Sequence, residues 1–172
     1  IRPTAEIIGD ITRNKHVGLL ATEGTVKSQS YDMEMHKLWP DIKVTGQACP
    51  FWVPLVEYNE ADSPGADYFV KKRIDQLLRK DPEIDSIILG CTHFPLLMPK
   101  ILKYTPPGIT IVPQGEYVAS KLKDYLRRHP EMETLLTKGG DVKYFSTENA
   151  SKFMASASIF LHERIKATHI DL

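Results

Sequence analysis

The sequence has no excess of charge of either sign and no long apolar run, and each absence excludes a class of protein. Lys plus Arg and Asp plus Glu both number 22 in the 172 residues, so neither a nucleic-acid groove nor a polybasic membrane surface is indicated. Apolar stretches are interrupted well short of a membrane span, and no basic start precedes an apolar core at the N-terminus. We therefore expect a cytoplasmic protein without nucleic-acid or membrane partners.

Cysteine is scarce, and several common catalytic motifs are missing. The two cysteines, Cys49 and Cys91, form neither a CxxC pair nor a zinc-ligand spacing. The sequence also contains no G-x-G-x-x-G, G-x-x-x-x-G-K-[ST], H-E-x-x-H or G-x-S-x-G segment. Nucleotide binding, zinc hydrolysis and serine-hydrolase chemistry therefore lack support, and we predict no cofactor and no metal. Chemistry based on a reduced thiol is compatible with the sequence.

Strand-like runs alternate with helix-like stretches along the chain. The strand-like runs are short, β-branched or apolar and bounded by turn residues, and they cover 16–21, 42–46, 86–89, 109–112 and 142–146. The stretches with helical spacing cover 28–39, 67–79, 95–104, 115–128 and 148–165. This alternation predicts an α/β layered fold with parallel strands. Ligand sites in such folds form in the loops after the carboxyl ends of the strands.

The loop after the third predicted strand carries the strongest candidate for chemistry. Cys91, Thr92 and His93 follow the run "SIILG" and precede a helix that we expect to begin near Pro95. A helix N-terminus favours a thiolate and can hold a carboxylate ligand. Thr92 could add a hydroxyl to that anion site, and His93 could serve as a proton partner. From these residues alone, a buried packing cysteine is an equally good interpretation.

Two other predicted strand-to-helix loops carry polar residues. Thr22, Thr25 and Ser28 lie in the loop 19–31, where capping of the next helix explains one hydroxyl and anion binding is the alternative. In the loop 46–60, Cys49 lies among apolar residues and is interpreted as a packing thiol. Glu57 follows an apolar run, so it either faces inward or is a solvated acid.

Three segments together resemble the bacterial glutamate racemase family: "LGCTHFPLL", "ATEGTVKSQSY" and "QACPFWVPLVE". The segment "YFSTENASKFMASASIFL" is similar to the family's C-terminal region, so the resemblance extends over essentially the whole chain. It implies a cofactor-independent enzyme that interconverts L- and D-glutamate for peptidoglycan synthesis, with glutamate as substrate. A racemase for aspartate or another amino acid is the nearest alternative. A non-catalytic domain that binds an acidic metabolite or a protein is the alternative from another class.

The resemblance also implies roles for individual residues. In this family two cysteines flank the substrate α-carbon as thiolate and thiol, and Cys91 matches the second of them. His93 matches the histidine beside that cysteine, and Thr92 with the His93 backbone matches part of the substrate carboxylate site. Thr22 and Thr25 fall in a loop that contributes to the family's pocket. Glu57 matches an acidic pocket residue.

The chain departs from the family pattern in one large respect. Neither a "DSGVGG"-like loop nor an "ACNTA"-like segment with the first cysteine occurs here, and Cys49 lies in a different family segment. The resemblance therefore implies the C-terminal portion of the enzyme, inactive alone, from a parent expected to be a homodimer. Residues 1–112 would form its complete second α/β domain and 113–172 the returning part of the first. The cluster of Pro and Gly in 103–116 agrees with a boundary there.

Overall fold

The computed structural model describes residues 1–161 and 163–171, and a parallel sheet organises the first part of the chain. Its four strands lie in the order β2-β1-β3-β4 and all pair in parallel. They are β1 His16–Ala21, β2 Lys43–Ala48, β3 Ser86–Leu89 and β4 Thr110–Val112. The predicted α/β class is therefore confirmed.

The helices lie before, between and after these strands. They are α1 Arg2–Ile11, α2 Glu23–Ser28, α3 Ser30–His36, α4 Trp52–Glu57, α5 Pro64–Lys80, a 3₁₀ helix Phe94–Leu97, α6 Met98–Tyr104, α7 Gly115–Arg128, α8 Pro130–Glu133 and α9 Ala150–Leu161. Position 162, inside the predicted helix 148–165, lies outside the described residues. Within the described part of the chain, no helix combines the length and apolarity needed to cross a membrane.

The chain divides into two compact units, the first ending at Tyr125 and the second beginning at Leu126. The division falls within α7. In the second unit, β5 Tyr144–Ser146 pairs in parallel with β6 Ala167–His169, a strand that the sequence pattern had not indicated. The assignment of 1–112 and 113–172 to two racemase domains stays a prediction.

Helices cover both faces of the four-stranded sheet, so β1 is buried along almost its whole length. On one face, Leu19 belongs to an apolar cluster with residues of α1 and α3, including Ile8 and Met35. On the other face, a Cβ added to Gly18 would lie 2.8 Å from Leu77 of α5, so glycine is needed for α5 to pack this closely. Each fully buried aliphatic side chain in this core contributes about 1.5–3 kcal/mol through the hydrophobic effect.

A buried carboxylate fixes the loop between α1 and β1. Asp85, which is 8% exposed, accepts hydrogen bonds from the Thr12 and Ser86 hydroxyls at 2.7 and 2.8 Å and from the Arg13 and Asn14 backbone N–H groups at 2.6 and 2.9 Å. Burial by itself raises the pKa of Asp85, but these hydrogen bonds outweigh it and hold the pKa below its ordinary value. The amino ends of the strands are therefore anchored on an ionised acid.

Candidate active site

The sheet topology places a reversal of strand order at the carboxyl ends of β1 and β3. Within the sheet, β2 lies on one side of β1, and β3, the next strand along the chain, lies on the other side of β1. A crevice at such a reversal of strand order is where open α/β sheets bind ligands. Thr22 directly follows β1, and Cys91 lies two residues beyond β3. The structure therefore brings the two sequence-predicted loops to neighbouring strand ends.

Gly90 permits the close approach of β1 and β3 that places Cys91 at these strand ends. Its backbone N–H donates to the Leu20 carbonyl at 2.8 Å, continuing the β1–β3 pairing past the last residue of β3. A Cβ at position 90 would lie 2.9 Å from both Ala21 Cβ and Leu19 Cδ1. Glycine is therefore required here because a larger residue has no space. Backbone conformation is not the reason, because the Gly90 φ angle lies outside the left-handed region.

Cys91, His93 and Glu57 form a connected line of side chains. The Cys91 Sγ lies 3.8 Å from His93 Nδ1, and His93 Nε2 lies 2.5 Å from Glu57 Oε1. Cys91 is half-buried, while the His93 and Glu57 side chains are 30% and 45% exposed. This geometry lets a carboxylate orient the imidazole so that one ring nitrogen faces the thiol, an arrangement suited to proton transfer at sulfur.

The turn after Cys91 differs from the prediction. The helix expected to begin near Pro95 is a 3₁₀ helix over Phe94–Leu97, and the α-helix α6 begins only at Met98. The Phe94 N–H donates to the Cys91 carbonyl at 3.2 Å. A helical stretch therefore begins near Pro95 as predicted, although its first turn is 3₁₀, and stabilisation of a Cys91 thiolate by its N-terminus stays a prediction. Thr92 is exposed within this turn, and its role toward a substrate carboxylate stays a prediction.

Thr22 and Thr25 interact with each other at the start of α2. Thr22 is the N-cap residue, and its Oγ1 accepts from the Thr25 N–H at 3.4 Å and lies 2.9 Å from Thr25 Oγ1. Ser28 donates from its hydroxyl to the Thr25 carbonyl at 2.9 Å. Capping and local hydrogen bonds thus account for these hydroxyls. A contribution of Thr22 and Thr25 to substrate binding stays a prediction.

Cys49 has the properties of a packing thiol. It directly follows β2 and is 1% exposed. Burial raises the pKa of its thiol to about 12, so the thiol stays protonated at neutral pH. The sequence-based interpretation of Cys49 is confirmed.

Potential metal ligands meet at the opposite edge of the sheet. Side-chain atoms of His16, Asp81 and Glu83 lie within 4.8 Å of one another. The Asp81 carboxylate already accepts from Lys43 Nζ at 3.0 Å and Thr45 Oγ1 at 3.2 Å. These contacts describe an ion-pair cluster at the amino ends of β1 and β2, far from the strand ends that carry Cys91.

Sequence reasoning did not single out Tyr31 and Gln114, which lie near the same strand ends. The Tyr31 hydroxyl donates to Gln114 Oε1 at 2.9 Å, and Gln114 Nε2 donates to the Leu89 carbonyl at 3.0 Å. Burial raises the pKa of the Tyr31 phenol, although the hydrogen bond to Gln114 acts in the opposite direction. The only sequence signal was the position of Gln114 in a loop just after a predicted strand.

Comparisons with known proteins relate the whole chain to one family. No protein-family profile matches the sequence. Glutamate racemase of Lactiplantibacillus plantarum is 34% identical over 173 aligned residues, which cover 100% of this chain and 63% of that protein. A crystal structure of a glutamate racemase from Bacillus anthracis superposes with a TM-score of 0.88 at 31% identity, covering 100% of this chain and 63% of that one.

Over its whole length, this chain is similar to glutamate racemases. A second solved structure, glutamate racemase from Thermus thermophilus in complex with β-chloro-D-alanine, has a TM-score of 0.80 at 26% identity and covers 100% of this chain and 61% of that one. This chain spans about three fifths of the length of the relatives that it matches.

Proposed function

We propose that the protein supplies one side of the active site of a cofactor-independent glutamate racemase, with Cys91 as an acid/base group. The observation that carries this proposal is the line Cys91–His93–Glu57 at the carboxyl ends of the strands, with 3.8 Å between the sulfur and His93 Nδ1. Racemisation removes the α-proton from one face of an amino acid and returns a proton to the other face. A thiol paired with an oriented imidazole can perform either half of that exchange.

In the proposed reaction the Cys91 thiolate takes the α-proton, and the electron pair of the broken C–H bond passes toward the substrate carboxylate. Hydrogen bonds of the pocket stabilise the resulting carbanion. An acid on the opposite face then protonates the α-carbon, which yields the other enantiomer. His93 exchanges a proton with Cys91 and so resets the thiol between turnovers, while Glu57 holds the imidazole in place.

Cys49 does not serve as the second acid/base group in this proposal. It is 1% exposed and its pKa is raised to about 12 by burial. The chain contains two cysteines in all, so the second thiol would come from outside these residues. We accordingly propose that residues 1–172 alone do not invert glutamate. A homodimer of the whole enzyme stays a prediction.

The family relationship supports the choice of substrate. The relatives that cover this chain are glutamate racemases, and the Thermus thermophilus relative holds an α-amino acid, β-chloro-D-alanine. Glutamate is therefore the proposed substrate, and supply of D-glutamate for peptidoglycan is the proposed role. Aspartate is the competing substrate within the same chemistry.

The test is a chimera in which residues 1–172 replace the matching segment of the Lactiplantibacillus plantarum racemase. We expect the chimera to interconvert L- and D-glutamate, as monitored by circular dichroism. In D2O the product should carry deuterium at the α-carbon. Turnover of aspartate should be much slower than that of glutamate. A chimera that is folded, as judged by cooperative thermal unfolding, but turns over aspartate faster than glutamate, or turns over neither amino acid, would contradict the proposal. Inversion by the unfused chain would contradict the two-thiol mechanism.

A further inference from the structure

The carboxamide of Gln114 connects three elements beside the candidate site. Its Oε1 accepts hydrogen bonds from the Thr4 hydroxyl of α1 at 3.0 Å and the Tyr31 hydroxyl of α3 at 2.9 Å. Its Nε2 donates to the Leu89 carbonyl of β3 at 3.0 Å. Thr4, Tyr31 and Leu89 are 0%, 3% and 1% exposed. Buried polar groups require such partners, because an unpaired donor or acceptor is costly away from water.

The local sequence explains why a side chain makes the bond to Leu89. Pairing between β3 and β4 ends at Ile88 and Val112. The next residue of the β4 chain is Pro113, which has no backbone N–H to donate. The Gln114 side chain supplies an N–H to the Leu89 carbonyl instead. The last residue of β3 is thereby held on its β4 side.

The same stretch of backbone is held on its other side by β1. The Gly90 N–H donates to the Leu20 carbonyl at 2.8 Å. The single peptide group that joins Leu89 to Gly90 is thus held from both sides, because its carbonyl accepts from Gln114 and its N–H donates to Leu20. The sulfur leaves the sheet from a backbone with little freedom to shift.

Resting on the proposed function, we propose that Gln114 is a positioning residue for Cys91. Its N–H fixes the end of β3 from which Cys91 projects, and its carbonyl oxygen holds the Tyr31 hydroxyl and so ties α3 to the same strand end. A carboxamide carries a donor and an acceptor together. Glutamate retains the shape and the acceptors of this group but loses the donor, while methionine retains the approximate length and loses all three hydrogen bonds.

The test measures how fast iodoacetamide alkylates each cysteine in the full chain, using peptide mass spectrometry to distinguish the two. The rates are measured across a pH series on both sides of the ordinary thiol pKa. This readout does not require racemase activity, so it is independent of whether the proposed function is correct. Cys49 is the internal reporter of global opening, because it reacts only when the core is exposed. Glu116→Gln is the matched control, since it changes one charge at an exposed position two residues away.

For Gln114→Glu we expect the midpoint of the Cys91 profile to rise and its alkylation at neutral pH to slow by roughly threefold to tenfold, because a carboxylate disfavours a nearby thiolate. For Gln114→Met we expect the high-pH plateau rate of Cys91 to rise about threefold or more as the turn loosens. Cys49 should stay protected in both variants, and Glu116→Gln should leave Cys91 unchanged. A Cys91 profile unaltered in both Gln114 variants, or equal deprotection of Cys49, would overturn the proposal.

Discussion

Replacing Gly90 with alanine tests how closely β1 and β3 must approach to deliver Cys91. The added Cβ would lie 2.9 Å from Ala21 Cβ, 2.9 Å from Leu19 Cδ1 and 3.3 Å from the Leu20 carbonyl oxygen. The Leu19 methyl can rotate away, but Ala21 Cβ is fixed to the backbone of β1. Overpacking of this kind costs about 1–3 kcal/mol. For a chain of this size, each kcal/mol lowers Tm by roughly 2–4 °C.

The assay is thermal unfolding of Gly90→Ala beside a matched glycine replacement, Gly24→Ala. A Cβ at position 24 meets nothing within 4 Å, and the residue lies in α2. Since alanine is favoured over glycine in a helix by up to about 1 kcal/mol, Gly24→Ala should be neutral or stabilising. The two identical substitutions are therefore expected to have opposite signs.

A double variant isolates the contact itself. Ala21→Gly removes the Cβ that the new Cβ in Gly90→Ala would contact. The double variant should therefore lose less unfolding free energy than the two single variants lose together, by about 0.5–3 kcal/mol. The reasoning would be refuted if Gly90→Ala unfolds at the same temperature as Gly24→Ala, or if Ala21→Gly brings no relief.

Two further predictions concern carboxylates. Because the pKa of Asp85 is held below its ordinary value, its contribution to stability should be complete above about pH 4 and be lost as pH falls through the lower folded value. Asp85→Asn should therefore lower the free energy of unfolding by about 1–3 kcal/mol at neutral pH. In urea titrations over a pH series, the loss of stability at acid pH should be smaller in this variant, and an unchanged loss would show that Asp85 does not cause it. Glu57→Gln should change stability by less than about 1 kcal/mol because the pair is part-exposed, yet slow glutamate turnover by the chimera about tenfold, and unaltered turnover would remove Glu57 from the mechanism.

The strands of the first unit could be read from the sequence because their patterns are local. β1 and β3 are short apolar runs between turn residues, and their bounds agree with the structure. α4 was missed because it is a six-residue helix with an internal proline, set by tertiary packing of Trp52 against Phe94 at 4.8 Å. The helix expected from residue 28 begins at Ser30, since Gln29 adopts a left-handed conformation with φ of 52°.

The residues of the candidate site were available from the sequence, but their arrangement was not. Cys91 and His93 are two positions apart, and their proximity is a local property. Glu57 lies 36 positions from His93, and no spacing rule connects an acid at the end of a short helix to a turn after another strand. The role of Gln114 depends on β4 ending beside β3 just before a proline, which only the paired strands reveal.

The measurement that tests the central claim most directly is interconversion of L- and D-glutamate by the chimera with Cys91 and by the same chimera with Cys91→Ser. A serine hydroxyl keeps nearly the same size but is a far weaker acid than a thiol, so it cannot supply the base at neutral pH. The account predicts inversion by the first protein and loss of inversion in both directions by the second, with both equally folded. Inversion at an unchanged rate by the Cys91→Ser chimera would contradict it.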